Sequence, residues 1–318
     1  MNILVVIPMT EEQKMAVRAI APDAQITYTT GDAVTQEQIS EAEIILGNVP
    51  IPLLKEAKKL KWLQLNYAGS DNYAAPGVLP EGVILTNATG AYGLAISECM
   101  LAGALCLIKR LDQYQVNKAN HVWQNMGEVS SIYGSTTLVV GFGDIGSSLA
   151  QRMHALGSTV IGIRRNVTEK PDYVSALYQM DKLDELLPMA DFVALSLPNS
   201  PLTQKVISAK QFELMKKTAT LINVGRGSAV DTDALVDALN TGKIGGAVID
   251  VVHQEPLPAD HPLWDCPNLV LTPHVTGNYN LPETLVRVVN IALRNLAAYL
   301  NGQPMESVVD FKTGYRKL

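Results

Sequence analysis

The sequence predicts an α/β protein built as two doubly wound parallel-sheet domains, one inserted into the other. Three observations carry this. Short apolar, β-branched runs alternate with helical patterns along nearly all of the 318 residues. A glycine-rich strand–turn–helix signal at Val139–Gly146 opens a second such series, and about 135 residues of α/β pattern precede it. A chain of this length has room for about two domains, each with its own core. One domain is therefore read as residues 97–284, set into another made of 1–96 and 285–318. A cleft between two such domains is the expected place for a small substrate.

The elements follow in order. Ile3–Ile7 reads as a first buried strand, too short for a membrane span and without the basic flank of a secretory signal. Glu11–Ile20 reads as a helix, Ala24–Tyr28 and Glu43–Gly47 as strands, and Leu53–Lys59 as a helix. Leu63–Leu65 runs into Asn66–Asp71, and Val83–Thr86 follows a Pro/Gly-rich turn. A long apolar helix, Ile96–Arg110, leads into a less regular stretch, Asp112–Tyr133, that contains Trp123. The second series has strands at Leu138–Val140, Thr159–Ile163, Phe192–Leu195, Thr220–Asn223, Ala247–Val251 and Leu269–Leu271. The last helix, Glu283–Leu300, is amphipathic through Leu285, Val288, Val289 and Leu296. Arg316-Lys317-Leu318 lacks the serine of a peroxisomal tripeptide and reads as a solvated tail.

The glycine signal is Gly141-Phe142-Gly143-Asp144-Ile145-Gly146, entered from an apolar strand. A helix leaves it with Leu149, Met153 and Leu156 on one face. Strand, glycine turn and helix together make a dinucleotide-binding fingerprint. Gly141 allows the tight turn, Gly143 a close backbone approach to a diphosphate, and Gly146 close packing of helix on strand. The helix N-terminus offers N–H groups and a positive dipole end to the phosphates. Where the next strand ends, NAD-binding folds usually carry an acid for the ribose 2′-hydroxyl. Here that place holds Arg164 and Arg165. A guanidinium pairs with a 2′-phosphate, whereas a carboxylate repels it. NADP(H) is thus favoured over NAD(H), unless the two arginines form only a basic turn.

Among five histidines, His274 stands out in Thr272-Pro273-His274-Val275-Thr276-Gly277, directly after an apolar strand. Glu255 and Arg226 likewise follow strand ends, where ligands bind in open α/β sheets. A histidine can supply the proton that a reduced carbonyl needs, and a neighbouring carboxylate orients its ring. A guanidinium fork can hold a substrate carboxylate and polarise the adjacent carbonyl. Taken singly, Arg226 could be a surface turn residue and Glu255 a loop charge.

Several segments together resemble the D-isomer-specific 2-hydroxyacid dehydrogenase family: Gly141–Gly146, Leu197-Pro198 with Thr203, Asn223–Gly227, Asp250 through Glu255-Pro256, and Thr272-Pro273-His274 with Gly277. The resemblance covers nearly the whole chain. It implies a Rossmann dinucleotide-binding domain inserted into a flavodoxin-like substrate domain. It implies that Arg226 binds substrate, that His274 is the acid/base and that Glu255 is its partner. It puts Leu197, Pro198, Thr203, Val224, Gly225, Asp250 and Gly277 around the cofactor, with Gly141, Gly143, Asp144, Ile145 and Gly146. It also implies that Tyr67-Ala68-Gly69-Ser70 offers backbone N–H groups to a substrate carboxylate. Arg164 departs from the acid of NAD-preferring members, and Ser70 stands where many members have valine.

The expected activity is NADP-preferring reduction of a small 2-keto acid to a D-2-hydroxy acid, in the manner of a glyoxylate or hydroxypyruvate reductase. The alternative is a nicotinamide-sensing binding protein of the corepressor kind, which would not need an intact histidine, glutamate and arginine set. A net charge of −6 with no basic run argues against nucleic acid. No membrane span and no metal-ligand cluster is expected. The three cysteines have no C-x-x-C spacing and read as reduced, buried residues of a cytoplasmic protein. The apolar helix Ile96–Arg110 carries more apolar surface than one buried face requires, so a homodimer through this helix and the following segment is expected.

Overall fold

The computed structural model describes residues 1–167 and 169–316. The solvated-tail expectation for Lys317 and Leu318 falls outside the described residues, while Arg316 lies in a strand instead. The chain divides into two compact units, 1–92 with 281–318, and 93–280.

In the first unit, β1 (Asn2–Val5), α1 (Glu11–Ile20), β2 (Gln25–Tyr28), α2 (Gln36–Glu41), β3 (Ile44–Leu46), β4 (Trp62–Gln64) and β5 (Ile84–Thr86) follow one another. All five strands are parallel in the order β2-β1-β3-β4-β5. The central strands are buried along their length, which suits a sheet covered on both faces. Thr10 with Gln13, and Thr35 with Gln38, form capping boxes that start α1 and α2. Helix α2 is absent from the sequence reading, although Thr35-Gln36-Glu37-Gln38 carries its signal. A short 3-10 turn, Ile51–Glu56, takes the place of the helix expected at Leu53–Lys59.

The second unit opens with α3 (Gly93–Ile108) and α4 (Leu111–Ala119). Helix α4 takes up the start of the stretch read as irregular. It starts after Arg110 in a left-handed conformation and has no side-chain cap, so no local signal announces it. Then come β6 (Thr136–Val140), α5 (Asp144–Ala155), β7 (Thr159–Ile163), β8 (Ala176–Tyr178), α6 (Leu183–Leu186), β9 (Phe192–Leu195), α7 (Ala209–Leu214), β10 (Thr220–Asn223), α8 (Thr232–Asn240), β11 (Gly246–Ile249) and β12 (Leu269–Leu271). The sheet is parallel throughout, in the order β12-β11-β10-β9-β6-β7-β8. Its order reverses between β6 and β9, the switch point of a doubly wound fold. Leu149 and Met153 are buried as α5's apolar face requires, but Leu156 caps the helix and is exposed. Cys99 is exposed and Cys106 half-buried on α3 rather than buried, Cys266 is buried as expected, and all three thiols are free.

The chain returns to the first unit with α9 (Pro282–Leu300) and an antiparallel hairpin, β13 (Val309–Asp310) with β14 (Tyr315–Arg316). Val288, Val289 and Leu296 of α9 are buried as expected, and Leu285 is half-buried. Asn295, fully buried on α9, donates to Gln64 Oε1 at 2.8 Å and accepts from Glu306 N at 2.7 Å. Gln64 Oε1 also accepts from Thr86 Oγ1, which accepts from Trp62 Nε1, both at 2.8 Å. A buried network satisfied this fully fixes one arrangement of helix on sheet.

Candidate active site

In the second unit, a parallel sheet brings the loops after β6, β9, β10, β11 and β12 to one carboxyl edge. The glycine loop stands after β6. Gly141 has φ +99°, and a Cβ there would lie 2.7 Å from Ser196 O. A Cβ on Gly146 would lie 2.2 Å from Gly141 O. Around Gly143 a Cβ would meet nothing within 4 Å, so this face of the loop is open to a ligand. Gly143 is also the N-cap of α5 and has no side chain to cap it. The loop therefore fits a diphosphate: open backbone at a helix N-terminus. Ile145 is half-buried behind it.

Asp144 serves another element with its side chain: Oδ2 accepts from Gly93 N at 3.0 Å, holding the first turn of α3. Arg164 and Arg165 follow β7 directly, the first half-buried and the second exposed. The loop after β9 is tied by Thr203, whose hydroxyl donates to Pro198 O at 2.6 Å and accepts from Ser200 N at 3.0 Å. Leu197 and Val224 are buried. A Cβ on Gly225 would lie 2.6 Å from Leu197 N, so the ends of β9 and β10 meet backbone to backbone.

Arg226 stands after β10 on a turn that Asn223 organises. The Asn223 side chain accepts from Gly225 N at 3.2 Å and donates to Arg226 O at 3.1 Å. The half-buried guanidinium folds back on Gly225 O at 3.0 Å. Beyond it, a Cβ on Gly227 would lie 1.9 Å from Val252 C, which packs the Arg226 turn against the loop that carries Glu255.

His274 and Glu255 are joined. His274 Nδ1 and Glu255 Oε2 are 2.7 Å apart, and Glu255 Oε1 accepts from Val252 N at 3.1 Å. With Nδ1 engaged, Nε2 is the ring nitrogen left for a reacting group. Both side chains keep solvent access, 50% for His274 and 38% for Glu255. His274 has φ +52°, a conformation a non-glycine residue holds only where its surroundings impose it. Asp250 imposes it. Its backbone O accepts from His274 N at 2.8 Å. Its buried carboxylate accepts from Thr272 Oγ1 at 2.6 Å and Val275 N at 3.0 Å on one oxygen. The other accepts from Thr276 N at 3.3 Å and Thr276 Oγ1 at 2.6 Å. Gly277 lies in the turn that follows.

In the first unit, Tyr67-Ala68-Gly69-Ser70 follows β4. Three carbonyls around it are held from behind: Asn66 O by the Tyr92 hydroxyl, Tyr67 O by Ala88 N at 2.9 Å, and Ala68 O by Asn87 Nδ2 at 2.7 Å. In a trans peptide the next N–H points the opposite way, so the amides of Tyr67, Ala68 and Gly69 are turned outward together. They and Ser70 N have no hydrogen-bond partner among the described residues. Such a row suits an anion. Ser70 is 1% exposed and its hydroxyl donates to Gly314 O at 2.8 Å, so its side chain is committed to the C-terminal hairpin.

Asn223, Thr272, Thr276, Asn87 and Tyr92 have positioning roles that the sequence does not assign. Asn223, two residues before a strand-end glycine, carries an Asx-turn signal that could have found it. Tyr92 and Asn87 act across the fold and carry no local signal.

The glycine loop after β6 and the histidine–carboxylate pair at strand ends of the same sheet are the features of a dinucleotide-linked oxidoreductase class. Residues 101–276 match the family model "D-isomer specific 2-hydroxyacid dehydrogenase, NAD binding domain". Glyoxylate/hydroxypyruvate reductase B of Pectobacterium carotovorum is 32% identical over 302 residues, covering 91% of this chain and 92% of that protein. A D-isomer specific 2-hydroxyacid dehydrogenase family protein from Aeromonas salmonicida is 33% identical with a TM-score of 0.86, over 98% of this chain and 99% of that one. An NADPH-dependent glyoxylate/hydroxypyruvate reductase from Sinorhizobium meliloti, solved with NADP and sulfate, has 26% identity and a TM-score of 0.82, covering 99% of each chain. The chain belongs to the D-isomer-specific 2-hydroxyacid dehydrogenase family, whose members are NAD(P)-linked oxidoreductases.

Proposed function

We propose that this protein reduces a small 2-keto acid to the D-2-hydroxy acid and prefers NADP(H). The observation that carries the reading is the 2.7 Å pair of His274 Nδ1 and Glu255 Oε2 at adjacent strand ends of the glycine-loop sheet. When bound, the nicotinamide cofactor supplies the hydride. His274 Nε2 gives its proton to the carbonyl oxygen as the alkoxide forms, and Glu255 fixes the ring and balances its charge. In the second unit Arg226 is the group for the substrate carboxylate, its guanidinium also polarising the carbonyl; in the first unit the amides of Tyr67–Ser70 suit a carboxylate. The glycine loop, Leu197–Thr203, Val224 and Gly225 hold the cofactor.

Arg164 and Arg165, where an acid would select NAD(H), support NADP(H), as does the cofactor of the Sinorhizobium relative. NAD(H) remains usable because the rest of the cradle is common to both. A homodimer is part of the proposal. Leu111, Val116, Val122, Trp123, Val129 and Tyr133 expose apolar surface on one segment of the second unit, Trp123 completely. Apolar side chains left in water along one segment suit a protein–protein contact. The setting proposed is cytoplasmic, with no nucleic acid or membrane partner. No described helix is long and apolar enough to cross a membrane.

Initial rates with NADPH and NADH over a panel of 2-keto acids, glyoxylate and hydroxypyruvate included, test the activity. His274→Ala and Arg226→Ala should each lower kcat/KM by roughly 10²–10⁴-fold with NADPH affinity intact. Near-wild-type turnover in either variant removes that residue from the mechanism. Light scattering that finds only monomer at micromolar concentration refutes the dimer.

A further inference from the structure

Ser70 is 1% exposed, and its hydroxyl reaches Gly314 O across 244 residues of sequence. Gly314 sits at φ +66° in the turn between β13 and β14, and its N–H returns to Asp310 O at 2.8 Å. The hairpin is itself fixed. Val309 is 1% exposed in the core of the first unit with Leu63, Leu65, Ala74 and Leu85. Val308 bridges Thr86 at the end of β5, and Ser307 O accepts from Asn87 N at 3.2 Å. Asn87 in turn holds Ala68 O. The loop is thus gripped at two points by one C-terminal element: Ala68 through Asn87, and Ser70 directly.

We propose that the C-terminal hairpin β13–β14 is a latch on the Tyr67–Ser70 loop and that Ser70 is a positioning residue setting affinity for the substrate carboxylate. The proposal rests on the reading that these amides take that carboxylate. Three of the four amides have their direction set by the preceding carbonyls, which are held elsewhere; the fourth lies in the Gly69–Ser70 peptide, whose carbonyl has no such hold among the described residues, so its direction depends on the anchoring of Ser70. The Ser70 carbonyl accepts from Tyr73 N at 3.1 Å and Ala74 N at 2.9 Å, which starts the next turn. Without the hydroxyl, Ser70 keeps that turn and loses its tether to the hairpin. A carboxylate held by such amides is held alike in the ground and transition states, so loosening them raises KM and spares kcat.

The test uses the full-length protein saturated with NADPH. Ser70→Ala should raise KM for the best 2-keto acid, and Kd for oxamate measured by calorimetry, about three- to tenfold. kcat should fall less than twofold and NADPH affinity should be unchanged. Ser70→Thr, which keeps the hydroxyl, should recover most of the lost affinity. Gly314→Ala disturbs the acceptor through its left-handed backbone. Combined with Ser70→Ala it should add little, because both remove one contact. Hydrogen exchange of the peptide over residues 65–76 should quicken in each weakened variant, with or without substrate. Unchanged exchange in Ser70→Ala overturns the latch. Faster exchange with unchanged KM and oxamate Kd overturns its role in carboxylate affinity. Loss of turnover in His274→Ala beside a wild-type KM and oxamate Kd in Ser70→Ala leaves the proposed activity standing and removes only the part of Ser70 in carboxylate affinity.

Discussion

Replacing Asp250 with asparagine isolates what holds His274 in place. Each carboxylate oxygen of Asp250 accepts one hydroxyl and one backbone N–H, from Thr272 and Val275 on one side and from Thr276 twice on the other. An amide presents oxygen to one side only. On its NH2 side a threonine hydroxyl can rotate to accept, but the backbone N–H of Val275 or Thr276 cannot. One buried donor therefore loses its acceptor and faces another donor, and the surviving bonds lose their charge assistance. Hydrogen bonds to charged groups contribute about 1.5–3 kcal/mol, so the substitution should cost roughly 2–3 kcal/mol in all. For a unit of this size that lowers Tm by roughly 4–12 °C. The loop can relieve part of the cost by moving, and His274 moves with it. A shift near 1 Å costs up to about 10²-fold in rate, so kcat/KM should fall roughly 10- to 100-fold. NADPH titration, thermal melting and steady-state rates on the same sample separate the two effects. A variant with wild-type Tm and wild-type kcat/KM would refute the role given to Asp250.

Other outcomes are accessible to the same assays. Arg164→Asp should reverse the cofactor preference. If the wild type prefers NADPH by tenfold or more, each contact contributing up to ~1.5–3 kcal/mol before solvent screening, the variant should favour NADH; a wild type that uses NADH equally well makes the arginines a solvated turn. Gly146→Ala drives a Cβ to 2.2 Å from Gly141 O, so the loop must open and NADPH affinity should fall at least about tenfold; fluorescence titration checks it, and an unchanged Kd contradicts the packing role. Arg294 grips Glu306 at 2.7 and 3.0 Å and holds its carboxyl below the usual carboxylate range. A lowered carboxyl stabilises the fold above its unfolded pKa, and the gain is lost as pH falls through the folded value. Both groups are about half exposed, so Glu306→Gln should cost only ~0.2–1 kcal/mol at pH 7, and the deficit should shrink below about pH 4 in denaturant titrations.

What could be read from the sequence was chemistry placed next to a strong local pattern. His274, Glu255, Arg226 and the glycine loop each follow a short apolar strand, and the strands at Thr159–Ile163, Phe192–Leu195, Thr220–Asn223 and Leu269–Leu271 have the predicted ends. Strand β8, half-exposed at the sheet edge, has no such pattern. Helix α4 leaves Leu111 and Val116 in solvent, so neither a cap nor an amphipathic face marks it. Partnerships stayed hidden where they span the fold. Nothing near Ser70 announces Gly314, and the carboxylate of Asp144 gives no sign that it holds another helix.

The return of α9 and the C-terminal hairpin to the first unit also constrains how the chain can be made. Gln64 and Asn295 meet across 231 residues, and Val309 fills a core begun by Leu4 and Ile45. The first unit to leave the ribosome is therefore the last to be finished. Its sheet waits, with the α9 face and the place of Val309 uncovered, while the second unit emerges as one continuous stretch. Closing so long a loop is slow compared with local helix formation. An unfinished sheet of this kind is open to wrong partners for as long as it waits. The same late residues complete the core and latch the Tyr67–Ser70 loop, so a chain truncated before them lacks both.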